Sequence, residues 1–245
     1  MGRMITIEGP ENIQGYLADI PDDPKGAIIV IHEVWGLVDH IKEVADRYAK
    51  EGYIALAPDL LFMLDFKSTD VAQLQKDLFN PQTRNAVQPE LRRLMAPLQE
   101  PEFGDKTVER LETVFNYLYN LQETKQNIAI TGFCFGGSYS YALAVKEPRL
   151  KLALPFYGHA DQPVEDLKNI KCPVEAFYGE KDEGLVANLP DLEKRMEDAG
   201  VDFSYTVYPD CGHAFFNDSN PFAYNEEARN DSWQKALNKL SSVGM

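Results

Sequence analysis

Apolar residues along the chain follow two rhythms, short unbroken runs and stretches spaced three and four apart, and the two alternate. Met4 to Glu8 and Gln14 to Ile20 predict two short strands joined at a Gly9-Pro10 turn signal. Ala27 to Ile31 and Tyr53 to Ala57 are continuous apolar runs, the mark of strands covered on both faces of a parallel sheet. Between them, Ile41, Val44, Ala45 and Tyr48 line one face of a helix over 39–50, closed by Gly52. Leu61 to Phe103 is helical in pattern but broken by Pro81, Pro89 and Pro97, and predicts a helical insertion at about 61–105 lying over the sheet edge. Val108, Leu111, Val114, Leu118 and Leu121 then predict a helix over 106–122. Further strands follow at 127–131, 152–156, 174–178 and 203–208, with helices at 137–146, 186–199 and 225–240. Strands alternating with helices at these intervals predict βαβ units. The expectation is one α/β domain over 1–245, a mostly parallel twisted sheet with helices on both faces.

Composition narrows the partners. With 24 Lys and Arg against 39 Asp and Glu, the net charge is −15, a field that repels phosphate backbones and anionic headgroups. No nucleic acid and no membrane partner is expected. No apolar stretch reaches the length of a membrane span, and the first ten residues lack the apolar core of a secretory signal. Three cysteines, Cys134, Cys172 and Cys211, make no disulfide framework and fit a cytoplasmic protein.

The strongest local signal is Thr131-Gly-Phe-Cys-Phe-Gly-Gly137, set between a predicted strand and a predicted helix. It is a nucleophile-elbow pattern, G-x-C-x-G, with cysteine at the reactive position. Glycines flank such a turn because strand and helix must approach closely there. The amides opening the helix favour a thiolate and hold an oxyanion. In this architecture an acid and then a histidine follow the nucleophile. His213, in Pro209-Asp-Cys-Gly-His213 beyond the strand at 203–208, is the favoured base, with His159 as rival. Asp182, just past the strand at 174–178, is the favoured acid, with Glu180 and Glu183 as alternatives. Ile31-His-Glu-Val-Trp-Gly36 follows the first buried strand, where a second oxyanion amide is supplied. A carboxylate at Glu33 would repel a thiolate if it faced Cys134. His32 reads as a packing residue.

Together these motifs resemble the dienelactone hydrolase family (carboxymethylenebutenolidase-like), a cysteine-nucleophile branch of the α/β-hydrolase fold. The resemblance runs over Ile29 to Gly36, Gly52 to Leu60, Thr131 to Gly137, Phe177 to Asp182 and Tyr208 to Phe216. It implies Cys134 as nucleophile, His213 as base, Asp182 as orienting acid, and the Val34 and Phe135 amides as oxyanion hole. It also implies that Glu33 contacts the resting thiol and helps activate it when substrate binds. Trp35, Tyr157, Asn217 and Arg84 are the candidate substrate contacts, with Arg92 and Arg93 as alternatives to Arg84. The family places an arginine four residues after the histidine, paired with the glutamate and the substrate carboxylate. This chain has Asn217 there, which supplies hydrogen bonds but no charge.

The expected activity is hydrolysis of a lactone or short carboxylic ester through a Cys-His-Asp triad and a thioester acyl-enzyme, with no cofactor and no metal. The alternatives are a broad carboxylesterase or thioesterase on the same site, a non-catalytic binding protein of the same fold, and a redox sensor built on Cys134. The expected partner is a small-molecule substrate, and the expected assembly a monomer or homodimer.

Overall fold

A sheet whose central strands are buried along their whole length must be covered on both sides, and that requirement organises the chain. The computed structural model describes residues 2–62, 68–80 and 82–245. Its strands are β1 (Arg3–Ile7), β2 (Ile13–Leu17), β3 (Ala27–Ile31), β4 (Ile54–Pro58), β5 (Ile128–Phe133), β6 (Leu152–Phe156), β7 (Val174–Gly179) and β8 (Phe203–Tyr208). They form one eight-stranded sheet in the order β1-β2-β4-β3-β5-β6-β7-β8. β1, β2 and β4 pair antiparallel, and every other pairing is parallel. β3 is the point where the connections switch direction, leading to β4 on one side while β5 lies on the other. Ligands in open parallel sheets gather at the carboxyl edge of such a strand.

Alternation along β3 divides the core. Ala27, Ile29 and Ile31 join Leu111, Val114, Phe115, Leu118 and Tyr141 on one face. Ile28 and Val30 join Val44, Tyr48, Phe133, Phe156 and Leu240 on the other. The covering helices are α1 (Asp39–Lys50), α2 (Ser68–Phe79), α3 (Arg84–Met95), α4 (Pro101–Tyr119), α5 (Phe135–Lys146), α6 (Val164–Leu167), α7 (Glu183–Ala199) and α8 (Glu226–Ser242). The predicted α/β architecture is therefore the observed one. Several limits shift by one to three residues, and two larger differences have physical reasons. Helix α4 starts at Pro101, five residues before the periodic signal, because proline suits a first helical position. Pro89 lies inside α3 rather than ending it; α3 buries no residue fully, so water can serve the carbonyl that proline leaves unpaired.

Leu74 of α2 and Val87, Leu91 and Leu94 of α3 pack with Val34, Trp35 and Val38. The expectation placed this segment over the sheet edge. Its apolar side instead finds Trp35, in the loop after β3, so it sits over the carboxyl end of a central strand.

The start of α5 is the tightest junction. A Cβ at Gly136 would lie 2.4 Å from the Ile31 carbonyl oxygen and 2.8 Å from that of His32, both backbone atoms that cannot swing aside. Gly136→Ala is expected to cost about 2–3 kcal/mol of folding free energy, read from the urea midpoint. An unchanged midpoint would contradict so close an approach.

Candidate active site

At the junction of β5 and α5, Cys134 takes φ 57° and ψ −111°, a backbone conformation that L-residues rarely adopt. It is held there from both sides. The Cys134 N–H donates to the Phe156 carbonyl at 3.0 Å, and its own carbonyl accepts from Ser138 N–H at 3.1 Å. The thiol stands at the positive end of α5 and is half-buried. Four of the six non-glycine residues with positive φ among the described residues, Cys134, Tyr157, Asp210 and Ala214, lie in loops along this one sheet edge. Strain that persists in such a cluster marks a functional site.

Two other loops bring partners to Cys134. Asp182 precedes α7, and His213 follows β8. His213 Nδ1 lies 2.5 Å from Asp182 Oδ2, with the imidazole ring also packed on Tyr157 at 4.9 Å between centroids. Burial is the largest influence on His213 and pulls its pKa down. Hydrogen bonds to Asp182 and Cys134, together with their charges, outweigh it and push the value up to about 10. The structure thus assembles Cys134, His213 and Asp182 in one chain of contacts. The rivals stand elsewhere. His159 is 58% exposed, with Nδ1 facing Ser138 Oγ at 2.9 Å and Nε2 facing Asp161 at 3.1 Å. Glu180 accepts the Asp210 N–H at 2.9 Å and so braces the histidine loop, while Glu183 is exposed at the start of α7.

Glu33 is 2% exposed. Its Oε2 accepts from Asn217 Nδ2 at 2.7 Å, and its Oε1 from the Tyr157 hydroxyl at 3.5 Å. Burial pushes its carboxyl above the usual range, opposed by the charge of His40 and the Asn217 hydrogen bond. Burial also holds the Tyr157 phenol well above its ordinary value, reinforced by the Glu33 and Cys134 charges it faces, so it remains a neutral donor. Behind Glu33, His40 Nδ1 lies 3.0 Å from Asp218, which also pairs with Arg47. That buried network has no local sequence signal, because its members come from α1 and a distant loop.

The expected substrate contacts fare differently. Asn217 is fully buried, with its amide turned onto Glu33 and its oxygen accepting from Ser219, so it is a partner of the glutamate. Tyr157 is 1% exposed and joins Glu33 to the His213 ring. Trp35 is 8% exposed and carries the packing of α2 and α3. Arg84 is exposed at the start of α3, Arg92 is exposed near its end, and Arg93 pairs with Glu90.

The Val34 and Phe135 amides have no acceptor among the described residues. Val34 lies in the loop after β3, and Phe135 opens α5 next to Cys134. A cleft of about 570 Å³ starts at Phe135 and Ser138 and runs between α4, α5 and the loop after β6, walled by Phe103 and Tyr139. Among the described residues, no group of three or more His, Cys, Asp or Glu could hold a metal ion, and no helix is long and apolar enough to cross a membrane.

A parallel sheet with a strained residue between strand and helix, and a histidine and a carboxylate arriving on later loops, defines an α/β hydrolase. The model of the dienelactone hydrolase family matches residues 13–244, and the chain belongs to that family. It is 34% identical to a Saccharolobus solfataricus protein named "Putative carboxymethylenebutenolidase", over 94% of each chain. It is also 33% identical to "Protein usf" of Aquifex pyrophilus, over 95% of each. A crystal structure from Klebsiella pneumoniae titled as a "Putative Dienelactone Hydrolase" superposes with a TM-score of 0.81, at 25% identity and over 98% of both chains.

The His213 shift has a consequence for stability. A histidine raised from 6.5 to about 10 stabilises the fold fully below its unfolded value, and that contribution is lost as pH rises through 10. The stability gap between wild type and Asp182→Asn is therefore expected to be wide near pH 6.5 and to close toward pH 10. Urea midpoints across that range measure it, and a gap that widens with pH would contradict the assignment.

Proposed function

We propose that the protein hydrolyses lactones or short carboxylic esters, with Cys134 as nucleophile, His213 as acid and base, and Asp182 as the orienting carboxylate. The observation that carries this reading is Cys134, strained at φ 57° at the mouth of α5, together with a histidine whose Nδ1 meets Asp182 and whose pKa responds to both residues. The imidazolium favoured by Asp182 supports a thiolate on Cys134. The thiolate attacks the carbonyl carbon, and the carbonyl oxygen gains negative charge between the Val34 and Phe135 amides. Collapse of the adduct breaks the C–O bond, with His213 giving its proton to the departing alkoxide. Water then attacks the thioester while His213 takes its proton, and the carboxylic acid leaves with the thiol regenerated. In a lactone, acid and alcohol remain on one molecule.

Glu33 sits beside the resting thiol in this scheme, and its ionised form opposes a thiolate until substrate alters the contact. Substrate charge is set by what is missing from this neighbourhood. Asn217 is committed to Glu33, and none of Arg84, Arg92 and Arg93 has a recorded contact with the site. We therefore assign neutral lactones and esters as preferred substrates over anionic dienelactone, reached through the cleft beside Phe135. Three unpaired cysteines accord with a cytoplasmic setting.

Steady-state hydrolysis of dienelactone and of a neutral p-nitrophenyl ester tests this directly, with Cys134→Ala as control. The neutral ester is expected to have the higher kcat/KM by at least about tenfold, and the variant to lose roughly 10⁴-fold or more. A variant with wild-type rates removes Cys134 as nucleophile, and faster cleavage of dienelactone removes the charge preference.

A further inference from the structure

We infer that His32 positions the oxyanion hole, acting through two backbone segments at once. This inference rests on the hydrolase reading, and it assigns a task to a residue whose sequence suggests only packing.

His32 is fully buried. Its Nε2 lies 3.0 Å from the Leu60 N–H, and its Nδ1 lies 2.6 Å from the Glu33 carbonyl oxygen. A backbone amide can only donate, so Nε2 is the accepting nitrogen and carries no proton. Nδ1 then holds the proton and donates it to the Glu33 carbonyl. Burial, which holds the pKa of this imidazole below its ordinary value, agrees with a neutral ring. One tautomer satisfies both neighbours.

The geometric consequence follows from the planar peptide. The Glu33 C=O and the Val34 N–H belong to one peptide unit and point to opposite sides of the chain. The carbonyl is drawn one way by His32 Nδ1–H and by the Gly36 N–H at 3.2 Å. Val34 N–H is thereby turned the other way, where it meets no acceptor among the described residues. The second segment is held by the same residue. The His32 carbonyl accepts the Gly136 N–H at 3.1 Å, and its ring stacks on Phe135 at 5.6 Å with an interplanar angle of 4°. His32 therefore fixes both the direction of the Val34 amide and its spacing from the Phe135 amide. Leu60, just beyond β4, anchors the imidazole from the neighbouring strand.

His32→Phe keeps a flat ring against Phe135 but can neither donate to Glu33 nor accept from Leu60. It is expected to lose about 10²-fold in kcat on the neutral p-nitrophenyl ester with KM within about threefold. Alkylation of Cys134 by iodoacetamide should keep its wild-type rate. An aldehyde analogue of the acyl group, which forms a thiohemiacetal oxyanion, should weaken by the same factor as kcat/KM. His32→Gln, whose amide can both donate and accept, should recover at least about tenfold of the loss. Wild-type kcat in His32→Phe, or equal losses in hydrolysis and alkylation, would overturn the inference. Nitrogen-15 NMR of histidine-labelled wild type reads the premise without any variant or substrate. A neutral His32 protonated on Nδ1 is expected, and protonation on Nε2 or on both nitrogens would overturn it. Absence of ester turnover in wild type would count against the hydrolase reading instead, with the tautomer result still standing.

Discussion

The close approach of α5 to the ends of β3 and β6 is the constraint on which the rest of the site depends. Gly136 lies against the Ile31 and His32 carbonyls, and a Cβ at Gly137 would fall 2.3 Å from the Phe156 carbonyl oxygen. Only residues without side chains let the helix start so near the sheet. That start forces Cys134 into a left-handed conformation, lifts its thiol above the carboxyl edge of the strands, and aims the first amides of the helix at the same point. Large apolar surfaces on both faces of the sheet hold the strain in place. Phe133 packs on Phe156 at 4.8 Å between ring centroids, and Phe156 on Phe177 at 4.5 Å, directly beneath the elbow.

Electrostatics at this edge is arranged in opposing pairs. Asp182 favours a charged His213. Glu33 is held by neutral donors, and burial pushes its carboxyl up. A carboxylate with only an amide and a phenol for partners is costly to keep ionised in the interior. The charges that lower its pKa are those of His40 and His213. Asn217, a neutral amide, stands on Glu33 at the position four residues after His213.

His32 shows how packing and chemistry merge in one side chain. Its ring is buried, as its sequence context suggests, yet both nitrogens are committed to backbone groups in the loops after two neighbouring strands. Buried polar groups are rarely idle, because an unpaired one destabilises the fold by more than a satisfied one contributes. The requirement that both nitrogens be satisfied sets the tautomer, and the tautomer sets a peptide plane.

Local pattern was sufficient for the elements. Ala27–Ile31, Asp39–Lys50, Leu152–Phe156 and Phe203–Tyr208 appear with the limits that their periodicity predicts. The elbow motif, its glycines and the order of cysteine, acid and histidine were legible too, because they are short-range patterns read against chain order. Where the pattern left the outcome open, a neighbour distant in sequence decided it. Helices α2 and α3 lie over Trp35 because that is where their apolar side is covered. Asn217 turns to Glu33, 184 positions away, because a buried carboxylate needs a donor more than solvent needs an amide. His213 reaches Asp182 from the loop after β8, whereas His159, in the loop after β6, is held by Ser138 and Asp161. Sequence by itself determined which segments are strands and helices and which residues could react. Only the tertiary structure decided which of those residues meet, since such contacts join chain positions that no local periodicity connects.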